Sequence, residues 1–141
     1  MSLDEANQLI RASLEQMNAR YGATVFDEWA VISMREKGGR MLAYGGPRKE
    51  DFQKSFSTDF NALREGLASR PLGVGDFEFA RHGSGTHFDA FLVLGDGHYL
   101  ICNNTRSSMD LITKEPRWLG AQVPFVELSD KIRANPVAPA K

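Results

Sequence analysis

The sequence predicts a single α+β domain, a five-stranded antiparallel sheet with helices packed on its faces, in the order α-ββ-α-βββ-α. Three observations carry this. Phe52, Phe56, Phe60, Leu63 and Leu67 recur at helical spacing, the strongest periodic signal in the chain. Between residues 74 and 103, three apolar runs are separated only by short glycine-bearing loops. No crossover helix fits between them, so they must be antiparallel neighbours. The length of 141 residues, with 42% hydrophobic and 25% charged residues, is that of one globular domain with a substantial core.

The elements follow in order. Ile10, Leu14, Met17 and Tyr21 mark an amphipathic first helix, with Ser2 and Glu5 placed as a capping box and Gly22 as its stop. Residues 25–34 are rich in Val, Phe, Trp and Ile and read as the first strand. The polar, glycine-bearing stretch 35–40 joins it to a second strand over 41–44 as a hairpin. Gly45-Gly46-Pro47 ends that strand, and Pro47 opens the phenylalanine-rich helix, because proline's fixed φ suits a first helical position. This helix is predicted to end near Arg70, before Pro71 and Gly73.

Strands are then expected over 74–82, 87–94 and 98–103, joined by Gly83-Ser84-Gly85-Thr86 and by Gly95-Asp96-Gly97. Ser107 and Ser108 are placed to cap a short turn over 109–112, and Pro116 interrupts it. Pro124 starts a last helix that carries Phe125, Leu128 and Ile132. One domain over 1–134 is expected, with 135–141 as a flexible C-terminal tail.

Composition narrows the function classes. Lys plus Arg is 17 and Asp plus Glu is 18, a formal charge of −1, so no positive excess exists to hold a nucleic-acid backbone. No apolar run approaches the ~20 residues of a spanning helix, and the first 20 residues do not read as a signal peptide. No membrane partner is expected. The one cysteine, Cys102, forms neither an internal disulfide nor a cysteine-based zinc cage, in keeping with a cytoplasmic setting.

The order of elements, a middle helix separating a hairpin from a three-stranded meander, resembles the roadblock/dynein light chain family. Local stretches are similar too. Gly39-Arg40-Met41-Leu42-Ala43 resembles the turn before the family's second strand. Gly95-Asp96-Gly97-His98-Tyr99-Leu100-Ile101 resembles its aspartate-glycine hairpin, and Leu119-Gly120 its leucine-glycine before the last helix. The resemblance implies a non-enzymatic adaptor without cofactor that forms a homodimer, sheets joined edge to edge through the middle helix and third strand. It also implies a role in a small Ras-like GTPase system. By position the elements are 47–70 and 74–82, with Thr58, Ala62, Glu65, Phe77 and Phe79 as candidate partner-binding residues. The chain departs from the family where its middle helix carries three phenylalanines and where 106–122 is long and irregular. An unpaired strand edge invites pairing unless charge, proline or a bulge blunts it, and the run after Pro71 contains no proline. Alternation with Glu78 and Ala80 predicts that Phe77 and Phe79 face the domain's own core.

Alternative chemistries are weaker. His82 and His87 flank a hairpin loop with Asp89 nearby, and with His98 they outline a metal or proton-transfer site, but no ligand-spacing signature accompanies them. The glycine loop 83–86 precedes a strand, where a phosphate cradle needs a helix N-terminus. Ser84 lacks the strand-turn-helix setting of a nucleophile elbow. Cys102 reads as a buried apolar residue. Trp29, Tyr44, Tyr99 and Trp118 offer a second class of function, a small-ligand sensor of profilin-like or PAS-like architecture, with packing the plainer role for them. No catalytic, cofactor-binding or metal residues are assigned.

Overall fold

The structure is a computed structural model that describes residues 1–36, 39–66, 72–82 and 87–138, and for 59, 62–66, 81 and 82 it describes the backbone alone. The loop Gly83-Ser84-Gly85-Thr86 and the end of the middle helix near Arg70 lie outside the described residues. Helix α1 spans Leu3–Tyr21 and buries Ala6, Ile10, Leu14, Met17 and Tyr21 along one stripe. The Ser2 side chain accepts the Glu5 N–H at its start, and Gly22 ends it in the left-handed region at φ 80°. Strands β1 (Glu28–Ser33) and β2 (Arg40–Gly45) form the expected hairpin. Helix α2 spans Lys49–Gly66.

Strands β3 (Phe77–His82), β4 (His87–Gly95) and β5 (His98–Asn104) complete an antiparallel sheet in the order β2-β1-β5-β4-β3. Three helices follow: α3 (Met109–Thr113), α4 (Trp118–Ala121) and α5 (Val123–Ala134). The sheet is covered on both faces. On one lie α1, α4 and α5, whose buried residues meet Trp29, Val31, Phe88, Leu92 and Leu100. On the other lies α2, whose Phe52, Phe56 and Phe60 meet Ala30, Ile32, Phe91 and Ile101.

β1 begins at Glu28 instead of residue 25, and α2 begins at Lys49 instead of Pro47. Three further departures from the sequence reading have physical causes. Residues 74–76 are a turn instead of the start of β3, because Gly75 sits at φ +86° and Asp76 N–H bonds back to Gly73 O at 3.0 Å. The segment 118–121, read as irregular, is helical and continues into α5 through Gln122, with Phe125 N–H bonded to Gln122 O at 3.0 Å. The tail expected to be flexible is fastened as far as residue 138. Val137 is 3% exposed and bonds Leu94 O through its N–H at 3.0 Å, so an apolar side chain and a backbone bond hold it to the β4 end. Residues 139–141 lie outside the described residues.

Candidate interaction surface

An antiparallel sheet of this order leaves two outer strands, β2 and β3, and they differ. β2 is bulged: Val31 pairs Ala43 and Ile32 pairs Met41, so Leu42 is an extra residue and the ladder is broken there. Bulges and exposed charge such as Arg40 blunt an edge. β3 instead runs in unbroken register against β4, from Phe77 opposite Leu92 to His82 opposite His87, without proline or shift. Its entry is pinned, since Ser129 Oγ and Arg133 Nη2 both donate to Gly75 O, the latter at 3.1 Å. A regular, held strand with one paired side is the better template for a further strand.

The rings of Phe77 and Phe79 turn away from that opening. Phe77 meets Phe125 edge-on at 5.4 Å, and Phe79 meets Trp118 at 5.0 Å and Phe125 at 5.2 Å, beneath α4 and α5. Both are half-buried against the core. The outward side of β3 therefore presents main chain, with the two phenylalanines supporting the strand from behind. On α2, Thr58 stands two positions from both Phe56 and Phe60, which places it on the far side of the helix, and it is exposed, as is Asn61. Ala62 and Glu65 lie on the described backbone of α2, but their side chains are outside the described residues.

The start of α2 is fixed by a buried polar cluster that sequence reasoning did not assemble. Glu28, fully buried at the head of β1, receives Tyr44 OH at 2.6 Å, Arg48 Nη2 at 2.8 Å and Asn103 Nδ2 at 2.9 Å. The Tyr44 oxygen in turn accepts the Arg48 N–H at 2.8 Å. Burial, reinforced by the bond to Glu28, pushes the Tyr44 hydroxyl up to about 12. The bond to Glu28 raises Arg48 as well. One carboxylate thus ties β1, β2, β5 and the residue that leads into α2 together, with both oxygens engaged as a buried charge requires. The only sequence signal for it is the Asp27-Glu28 pair inside an otherwise apolar run.

Other candidates are dispersed. His98 stands opposite Gly95, at the far end of β4 from the His82–His87 pair and Asp89, so it does not join them in one ligand set. Among the described residues no group of three or more His, Cys, Asp or Glu is placed to hold a metal ion. Cys102 is fully buried, and burial pushes its thiol well above the usual range, which opposes thiolate chemistry. Tyr99 packs on the α2 side against Phe60 and Phe91, while Trp118 packs on the α1 side against Phe79 and Phe88. The sheet separates them, so one ligand pocket does not use both. Among the described residues no helix is long and apolar enough to cross a membrane.

The arrangement, α-ββ-α-βββ followed by three helices around one five-stranded antiparallel sheet, has the element order that the sequence resemblance implies. Among solved structures the chain is similar to Myxococcus xanthus MglB at 13% identity, over 100% of this chain and 98% of that chain, with a TM-score of 0.45. No family model matches the chain, and no curated protein matches it.

Proposed function

We propose that this chain is a protein-interaction domain that forms a homodimer through the free edge of β3 and the outward face of α2, and that it serves as an adaptor in a small Ras-like GTPase system. The observation that carries the proposal is the asymmetry of the two outer strands. β2 is broken by a bulge at Leu42, whereas β3 is regular, anchored at Gly75 and paired on one side. Self-pairing of β3 would join two sheets and bring the polar α2 faces around Thr58 together. The GTPase assignment rests on the element order and its family resemblance alone. In this reading the chain contributes contacts, and a partner supplies any chemistry.

Sedimentation velocity of the wild type and of Thr58→Arg tests the dimer. The variant places a long charged side chain on an exposed position, so the fold is retained while the interface is lost. Affinity capture from the native organism in the presence of GDP or of a non-hydrolysable GTP analogue tests the partner. Recovery of a GTPase dependent on the nucleotide supports it, and recovery of none at all removes that half of the proposal.

A further inference from the structure

The end of the sheet opposite the Glu28 cluster carries a groove that the adaptor reading leaves unused. It is a cavity of about 820 Å³ between the start of α1, the end of β1, β2 and the fastened tail. Its floor is apolar, made by Leu3, Leu42 and Val137, and its rim carries Arg35, Glu36 and Arg40. The β2 bulge builds it. Met41 and Tyr44 pack toward α2 while Ala43 packs toward α1, and the extra residue Leu42 joins the α1 side, where Leu3 and Val137 lie. Small-ligand sites run roughly 300–1,000 Å³ and combine apolar walls with a few polar groups, as here.

We infer that this groove binds an amphipathic carboxylate, an apolar body that ends in a single negative charge. The rim chooses the headgroup. Arg35 is already engaged by Asp96, its Nη1 3.0 Å from Oδ2. Arg40 is exposed and takes part in no hydrogen bond or ion pair of its side chain among the described residues, so its planar fork is free for a carboxylate. The Glu36 and Asp96 carboxylates stand close by and oppose a second negative charge, which disfavours phosphate monoesters. The floor chooses the body, since a hydrocarbon chain over the buried Val137 covers the half-buried Leu3 and Leu42 and removes their apolar surface from water.

Octanoate, titrated below its micelle concentration and followed by calorimetry and by amide chemical shifts, is the probe. Wild type is expected to bind one equivalent saturably, with shifts at Ser33, Leu42 and His98. Arg40→Glu and the uncharged analogue 1-octanol should each bind at least tenfold more weakly, with the thermal midpoint of Arg40→Glu unchanged because that side chain is exposed. Thr58→Arg should bind octanoate as wild type does, which separates this inference from the dimer proposal. Absence of saturable binding, or equal affinity of wild type and Arg40→Glu, overturns it.

Discussion

Removing the Glu28 carboxylate is the sharpest perturbation of the frame that holds α2 over the sheet. Glu28→Ala takes away three hydrogen bonds, from Tyr44, Arg48 and Asn103. Their losses are unequal. Arg48, with 42% of its side chain exposed, recovers water and contributes little to the cost. Asn103 is 8% exposed and left with a buried donor unpaired, a cost of roughly 1–3 kcal/mol. The Tyr44 hydroxyl, half-buried, loses its acceptor and adds about 1 kcal/mol. Relief of carboxylate desolvation offsets part of this. The net expectation is a destabilisation of about 2–4 kcal/mol for Ala and about half that for Gln, which keeps an acceptor. Urea unfolding followed by circular dichroism measures both, and hydrogen exchange should show faster exchange in the first turns of α2 than at the sheet centre. A cost below about 1 kcal/mol for Glu28→Ala, or unchanged exchange in α2, would refute the claim that this carboxylate fixes the helix.

Three further outcomes follow from single side chains. Tyr44 holds its proton more tightly in the folded state, with its pKa raised from 10.0 to about 12. Its stabilising effect is therefore complete below about pH 10 and lost as pH rises from there toward 12. The stability difference between wild type and Tyr44→Phe should shrink over that window, and a difference that stays flat contradicts it. Phe60→Ala empties a site that is 1% exposed between Phe91 and Tyr99, and chemical denaturation should report a loss of about 3–5 kcal/mol. Gly75→Ala places a Cβ 2.9 Å from Arg133 Cβ at a residue with φ +86°, so it should lower stability by more than about 1 kcal/mol and loosen the start of β3. A neutral result there, read by thermal denaturation, would mean that the turn adapts.

The local elements were legible in the sequence and the long-range pairings were not. The α1 stripe, its Ser2 cap and its Gly22 stop follow from positions a few residues apart, and the structure reproduces each one. The same holds for the phenylalanine stripe of α2, buried as the spacing requires at Phe52, Phe56 and Phe60. The meander β3-β4-β5 was also readable, because loops too short for a crossover leave one arrangement. That β1 pairs with β5, Trp29 opposite Cys102, could not be read, since nothing local encodes a contact between residues so far apart in the chain. Glu28 stayed hidden for the same reason. Its three partners come from β2, the residue before α2 and β5, and only the folded sheet brings them to one carboxylate. Fastening of the tail depends likewise on Val137 meeting the β4 end, a contact no periodicity announces.

Solution mass tests the central claim most directly. At tens of micromolar, sedimentation equilibrium should give wild type twice the 15.7 kDa chain mass and Thr58→Arg the single chain mass, with equal circular dichroism spectra. A wild-type protein of one chain mass at those concentrations, or a dimer indifferent to Thr58→Arg, would contradict pairing through β3 and α2.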